Sequence, residues 1–349
     1  MVIQMNEGTG ISIDLSIEDE VLLVSPVVKE FVESDIDVHS NAMYAGFAEG
    51  NLDYAVPLNV FYDVKGLPEN LSIEQAILYI SEDEQFSAPK EYTYDRRQSV
   101  LSVKFLKTNT VYYYKLQVTI SDGSAYVKEG SFHTANTPRL LSIDGIVNVR
   151  DIGGWATKQG KYIKQEMVYR GSELDGVVVP DYKLSAKETQ DMLNVLKIKT
   201  DMDLRSGNDS NGMHALGADV KHIHYNAPCY GQLFEDQYKK SVRDIFADLA
   251  DNKNYPVYLH CTYGNDRTGT ICYLLEALLG VSDEDLLKEY ALSLTYYGKR
   301  LSLESINGLA SQIQQYSGET TQKKVENYLL GVGVTADELQ SIRDILLSD

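Results

Sequence analysis

The stretch YPVYLHCTYGNDRTGTICYLLEALLG, residues 255–280, decides the fold. It is an apolar run that breaks into a polar loop and resumes with a different period. Pro256, Val257, Tyr258 and Leu259 read as a short buried strand, whereas Ile271, Leu274, Leu275 and Leu278 recur at helical spacing until Gly280 offers a stop. His260 to Gly269 join the strand end to the helix start.

A loop of this kind aims several backbone N–H groups, with the positive end of the helix dipole, at one point in space. That point suits a phosphate dianion. Cys261 falls at the bottom of the cradle, where the N–H groups and Arg267 favour thiolate over thiol and make it a nucleophile. Arg267 closes the ring with a planar fork that can hold two phosphoryl oxygens and follow them into the transition state. Gly264 removes a side chain where the loop must curl. Thr262, Tyr263, Gly264, Asn265 and Thr268 complete the expected phosphate-binding set, with the Thr268 hydroxyl a donor to the sulfur. Asp266 is the only carboxyl in the loop and is the expected general acid, because a leaving phenolate has an aqueous pKa of about 10. No Trp-Pro-Asp segment lies upstream, and Asp151 and Asp203 are the reserves. A buried structural cysteine beside an incidental arginine is the plain alternative. It does not account for strand, Cys, Gly, Arg, hydroxyl and helix falling in the required order.

The loop resembles the cysteine-dependent phosphatase signature His-Cys-x-x-Gly-x-x-Arg-Thr. More narrowly it resembles the bacterial protein tyrosine phosphatases whose loop reads His-Cys-x-x-Gly-Lys-Asp-Arg-Thr-Gly, with Asn265 in place of the Lys. Asn148-Val149-Arg150-Asp151-Ile152-Gly153-Gly154 resembles the first motif of the same family, Tyr169-Arg170-Gly171-Ser172 and Asp203-Leu204-Arg205-Ser206 its next two, and Glu289-Tyr290-Ala291-Leu292-Ser293 a later one. The resemblance runs from about Ile143 to Asp349. It implies a hydrolase that dephosphorylates a phosphotyrosine protein or another phosphomonoester through a phosphocysteine on Cys261, with no cofactor and no metal. It also implies possible action on phosphoserine, phosphothreonine and phosphoinositides. Inositol polyphosphate hydrolysis is the enzymatic alternative, less suited to so acidic a chain. A phosphoprotein-binding module is the non-enzymatic one, against which the intact Cys261, Asp266 and Arg267 argue. A sulfurtransferase has no use for the Asp-Arg-Thr arrangement. His260, Arg150, Asp151, Asp203 and Arg205 are the supporting residues, charges beside strand ends that shape the site or pair with one another. For Asp203 and Arg205, scaffold pairing and substrate contact both stay open. Asn265 is expected to leave the mouth of the cradle without a charge and so narrow the range towards phosphotyrosine.

The 349 residues, 43% of them hydrophobic, suffice for two domains. A net charge of -19 argues against nucleic acid or an anionic membrane as partner, so the anion site is positive only locally. No cysteine precedes Cys229, which excludes a disulfide framework in the first domain. Cys272 reads as a small core residue, and Cys229 has no assigned role. The longest early apolar run, Val21 to Val24, is too short for a signal peptide, and no stretch is long enough for an integral membrane segment; secreted, cell-surface and cytoplasmic locations all stay open.

Residues 1–136 read as a β-sandwich. A strand is expected at Val21 to Val28, then Leu58 to Val64, Gln75 to Ile80, Val100 to Phe105, Val111 to Ile120 and Ala125 to Phe132. Tyr112, Tyr114, Leu116, Val118 and Ile120 form the apolar face of the clearest strand, and Asp122-Gly123 makes its turn. Leu106, Thr110 and Tyr112 resemble the tyrosine corner of fibronectin type III domains, and residues 130–134 their last strand; a protein or cell-surface ligand is the partner such a domain suggests. Ala135 to Pro138 is the expected linker. Residues 137–349 are expected to form an α/β catalytic domain, a mainly parallel central sheet flanked by helices, with the site at its carboxyl edge. Ser185 to Glu188 reads as a capping box, with a helix through Met192 before a strand at Lys199 to Leu204. His222 and His224 alternate on a strand at Val220 to Tyr225, but no Cys or carboxylate cluster completes a metal site. Tyr238, Val242, Ile245, Phe246 and Leu249 make a core-facing helical stripe. Ser282 with Asp285 and Thr335 with Glu338 mark later helix starts, and Gly331 and Gly333 separate the last two helices.

Overall fold

The computed structural model describes residues 10–34, 54–94, 100–210, 212, 214–297 and 303–348, which fall into two compact units. The first takes residues up to 25 and 56–137. Period-two runs here make β1 (Ser12–Leu15), β2 (Glu20–Val21), β3 (Leu58–Lys65), β4 (Ile73–Ser81), β5 (Lys90–Thr93), β6 (Val100–Val103), β7 (Val111–Ile120) and β8 (Ala125–Thr134). They form two sheets, β1-β3-β6 and β2-β8-β7-β4-β5. Val60 and Val103 from the first sheet, and Leu78, Leu116 and Val118 from the second, belong to one core. On β7 the alternation holds, with Leu116, Val118 and Ile120 buried while Lys115, Gln117 and Thr119 are partly exposed.

The strand expected at Val21 to Val28 is not formed. Glu20 and Val21 pair against β8, and Pro26 then opens a helix, α1 (Pro26–Glu33), burying Val28 and Phe31. Pro is at home at the first helical position, where no N–H is required, and the apolar residues that follow are three apart rather than alternating. This helix groups with residues 138–348 in the second unit, so the chain is not divided by a single cut.

The second unit carries β9 (Arg139–Leu140), β10 (Arg150–Asp151), β11 (Val168–Gly171), β12 (Thr200–Asp203), β13 (Lys221–His224) and β14 (Val257–His260), in the order β13-β12-β14-β11-β10-β9. The sheet is mixed rather than mainly parallel. β13, β12, β14 and β11 run parallel, but β10 pairs antiparallel with both β11 and β9. The connections from β11 to β12 and from β13 to β14 carry the helices α2 (Ala186–Asn194) and α3 (Asp236–Leu249), as long crossovers between parallel strands commonly do; β9 and β10 are two-residue antiparallel strands with no helix between them.

β14 is buried along its whole length between β12 and β11, and α4 (Asp266–Leu279) is buried from Thr268 onward until Gly280, at φ +94°, ends it. Beyond it lie α5 (Asp283–Ala291), α6 (Leu294–Tyr297), α7 (Glu304–Ile313), α8 (Thr321–Gly331) and α9 (Ala336–Leu346). Ser282 and Thr335 cap α5 and α9, accepting from the N–H of Asp285 (3.1 Å) and Glu338 (3.2 Å). Ser185 does not cap α2. Its hydroxyl donates to the Glu188 carboxylate, and its oxygen accepts from no backbone N–H of the helix. His224 Nε2 contacts the Arg205 carbonyl at 2.7 Å, and the His222 ring lies 5.0 Å from that of His214. Among the described residues no three His, Cys, Asp or Glu side chains are grouped to hold a metal ion, and no helix is long and apolar enough to cross a membrane.

Candidate active site

The loop from Cys261 to Arg267 leaves the carboxyl end of β14 and enters α4. Gly264 has φ +66°, and a Cβ there would lie 2.3 Å from the Gly171 carbonyl oxygen, so only glycine fits. The neighbouring scaffold takes the loop's carbonyls in succession. Glu173 N–H donates to Thr262 O (3.1 Å), Asn148 Nδ2 to Tyr263 O (3.3 Å) and Gly264 O (3.1 Å), and Arg170 Nη2 to Gly264 O (2.8 Å). In a trans peptide the N–H points opposite to the preceding carbonyl. The N–H groups of Tyr263, Gly264 and Asn265 are therefore turned away from the scaffold, alongside the positive end of α4. Cys261, only 3% exposed, sits where this turn begins.

The groups that hold those carbonyls are themselves held. Glu289 on α5 bridges Arg150 Nε (2.6 Å) and Arg170 Nη1 (2.7 Å), and Asn148 Oδ1 accepts from Arg150 Nη1 at 2.6 Å. Ser293 Oγ accepts from Asn148 Nδ2 (3.1 Å) and Arg150 Nη2 (3.3 Å). All five side chains are buried. Burial alone would raise the Glu289 pKa, but the two guanidiniums outweigh it and hold it below the usual carboxylate range. Asn148 sits at φ +59°, a conformation Asn tolerates better than most residues. Arg150 thus acts on the loop through Asn148, and the Glu289 to Ser293 motif supports the site from a neighbouring helix.

Asp203 and Arg205 form a scaffold network. Arg205 reaches Glu173 (2.5 Å), Asp175 (2.7 Å) and Asp203 (2.8 Å), and Asp203 also accepts from Ser210 Oγ at 2.8 Å. Burial opposes the charge on Asp203, yet His260 and Arg205 outweigh it and drive its pKa down. Asp151 is equally enclosed. It pairs with Arg139 (2.8 Å) and accepts from the N–H of Gly153 and Glu166 (2.7 and 2.6 Å). Neither reserve carboxylate is free to trade a proton with a substrate. His260 Nε2 lies 2.9 Å from Asp201 Oδ1, a close charge contact with poor hydrogen-bond geometry. Burial works against its charged ring, but Asp201 and Asp203 prevail and raise it to about 9.

Asp266 is in the first turn of α4, and its Oδ1 accepts from the Tyr230 hydroxyl at 2.5 Å and from Asn265 Nδ2 at 3.3 Å. Asn265 is not at the mouth of the cradle. Its side chain is 7% exposed and turned towards Asp266, because the scaffold contacts to the carbonyls before it fix the direction of the loop. The expectation that it removes a charge from the rim therefore fails, and Tyr263, 43% exposed, is the most exposed residue of the loop. Thr268 Oγ1 is buried and finds no hydrogen-bond partner among the described residues. Arg267 Nη2 pairs with Asp209 Oδ2 at 3.0 Å, both partly exposed. Cys272 is core, as expected, and Cys229 is half-buried with Sγ 3.2 Å from Gln232 Oε1. Burial, then Asp266, push the Cys229 thiol up. The residues that sequence reasoning missed are Glu173, Asp209, Tyr230 and Arg139. Asp209 follows Arg205 within one turn, a local signal; Tyr230 has none, lying 36 positions from its partner.

A buried cysteine under backbone amides and an arginine at a strand-to-helix turn defines a class of anion-binding site shared by cysteine-dependent enzymes. The profile described as the tyrosine phosphatase family matches residues 141–348, and the chain belongs to that family. Curated relatives include a Cupriavidus necator protein named as a candidate tyrosine-protein phosphatase, 25% identical over 178 residues (43% of this chain, 61% of the relative). A tyrosine-protein phosphatase of Nostoc commune is 26% identical over 130 residues (29% of this chain, 42% of the relative). The chain thus spans less than two thirds of the length of either relative. Among solved structures, P. aeruginosa TpbA matches with TM-score 0.33 and 18% identity, covering 51% of this chain and 96% of that one. The core catalytic domain of S. cerevisiae PP-IP phosphatase SIW14, in complex with citrate, matches with TM-score 0.32 and 14% identity, covering 59% of this chain and 94% of that one.

Proposed function

We propose that the chain is a protein tyrosine phosphatase that hydrolyses phosphomonoesters through a phosphocysteine on Cys261. The observation that carries this reading is the fixing of three successive loop carbonyls by Glu173, Asn148 and Arg170, which directs three N–H groups to one side above a buried cysteine. In the first step the Cys261 thiolate attacks phosphorus as the P–O bond breaks. The N–H groups of Tyr263, Gly264 and Asn265 and the Arg267 guanidinium hold the equatorial oxygens, and Asp266 gives its proton to the leaving oxygen. In the second, water attacks phosphorus, its proton passes to Asp266, and the S–P bond breaks with the Thr268 hydroxyl donating to the departing sulfur. Arg267 exchanges its Asp209 contact for the substrate, a small cost for a partly exposed pair. Amides and guanidinium neutralise the phosphoryl group, so the scheme calls for no cofactor. The chain's charge of -19 disfavours polyanionic inositol phosphates relative to a single phosphotyrosine.

For the first unit we propose a β-sandwich of the fibronectin type III kind that serves location or partner binding. Two sheets sharing one core support this, as does the Tyr112 hydroxyl, which accepts from the Lys107 N–H at 2.8 Å like a tyrosine corner. The domain division proposed is then the first unit against residues 138–349 with α1.

The test of the activity is phosphate release from a phosphotyrosine peptide by the full chain in the presence of a chelator. Wild type should turn over and Cys261→Ser should lose about a thousandfold or more while still binding inorganic phosphate. Release by the Ser variant near the wild-type rate would end the covalent reading.

A further inference from the structure

In most of its surroundings a carboxylate in the first turn of a helix is free to rotate, but Asp266 is gripped. The Tyr230 hydroxyl donates to Oδ1 at 2.5 Å, and it also meets the Tyr290 hydroxyl of α5. Each phenol has one proton to give. Since that of Tyr230 goes to Asp266, that of Tyr290 goes to Tyr230, and the chain of donors runs from α5 to the carboxylate in one direction. Burial raises the pKa of both phenols, which keeps them neutral donors throughout the working range.

The segment bearing Tyr230 is built to hold this contact. It follows β13 at the carboxyl edge of the sheet, beside the site, and supplies no carboxylate of its own between Tyr225 and Leu233. Tyr230 adopts φ +48°, a left-handed conformation that costs a residue with a Cβ about 1 kcal/mol or more. Its N–H is fixed to Thr270 Oγ1 (2.9 Å), whose own proton goes to the Asp266 carbonyl (2.9 Å). Tyr230 is thus pinned to the first turn of α4 at its backbone and at its hydroxyl. Opposite it, the Tyr290 ring lies so close to α4 that a Cβ on Gly269 would be 2.8 Å from it.

The geometry points to Tyr230, backed by Tyr290, as a positioning residue for the proton transfer: it occupies Asp266 Oδ1 and leaves Oδ2 as the oxygen that exchanges a proton with the leaving group and then with water. This rests on Asp266 being the general acid. A fixed acid matters most when the leaving oxygen is strongly basic, and little when the leaving phenol is acidic enough to depart unprotonated.

The experiment compares kcat and KM of the full chain, as wild type, Tyr230→Phe, Asp266→Asn and the double variant, on a phosphotyrosine peptide and on an aryl phosphate of an acidic phenol. Tyr230→Phe keeps the ring and should lower kcat on the peptide roughly ten- to a hundredfold, with KM unchanged to within about twofold and little loss on the activated ester. The double variant should be no slower than Asp266→Asn. Equal losses on both substrates for Tyr230→Phe, or losses that multiply in the double variant, overturn the inference while leaving Asp266 in its role. If Asp266→Asn itself loses equally on both substrates, the acid is elsewhere and the inference falls with it. Should Tyr230→Phe fail to fold, Tyr290→Phe removes only the outer donor, and it must show the same leaving-group selectivity, smaller in size, for the inference to stand.

Discussion

His260 joins β14 to Cys261, and its buried ring faces Asp201, with Nε2 2.9 Å from the carboxylate. A pKa raised from the usual 6.5 to about 9 means that the folded protein binds this proton more tightly than the unfolded chain. The stability it contributes is fully present below pH ~6.5 and is lost as pH rises through about 9, amounting to up to about 3 kcal/mol. We predict that the thermal midpoint of the wild type falls between pH 6.5 and 9 by several degrees more than that of His260→Gln, measured by circular dichroism. Equal pH slopes would show that the ring carries no linked proton. The strand-loop-helix turn that carries Cys261, Gly264 and Arg267 could be read from the sequence because it is local. Asp203 and Arg205 could be read as charges for which scaffold pairing and substrate contact were both open; their further partners Glu173 and Asp175, about 30 positions away from Arg205, could not be read. The direction of Asn265 depends on hydrogen bonds to other segments and had no sequence signal.

α5 gathers three duties in three consecutive residues. Lys288 Nζ accepts no bond but donates to the Val32 and Ser34 carbonyls at the end of α1 (2.9 and 2.8 Å), Glu289 holds Arg150 and Arg170, and Tyr290 reaches the Tyr230 hydroxyl. Its approach to α4 depends on Gly269, which is glycine in a helix interior and so costs about 1 kcal/mol against alanine in propensity. We predict that Gly269→Ala is nevertheless destabilising. The added Cβ would lie 2.8 Å from the Tyr290 ring, which is enclosed and cannot swing away, and overpacking of this kind costs about 1 to 3 kcal/mol. A lowered thermal midpoint together with a reduced kcat is the expected outcome; a raised midpoint would show that the helices can part. At this scale the sequence was most legible where elements are long. β7, α4 and the capped helices α5 and α9 follow their periodicities, whereas β9 and β10, two residues each, carry no period, and with them the antiparallel side of the sheet was missed.

Over the whole molecule, a net charge of -19 runs against the proposed dianion site, so any attraction there has to be local. Arg150, Arg170 and Arg205 are paired with buried carboxylates, and on the proposed mechanism three loop N–H groups and Arg267 are left for the substrate. The boundary near Pro138 was visible as a change from alternating to helical patterns, but the passage of α1 into the second unit was not, because Pro26 to Glu33 is short and rich in valine. A cut at Leu140 would remove both α1 and Arg139, the partner of buried Asp151, so the second unit is best treated with its N-terminal helix attached. On the proposed mechanism Cys261 carries the phosphoryl group. The full chain should be acid-quenched during turnover of a phosphotyrosine peptide and its fragments weighed by mass spectrometry. The account predicts one phosphoryl group on the fragment containing Cys261, absent from Cys261→Ser; turnover with that fragment unmodified, or with the phosphoryl group on another residue, would contradict it.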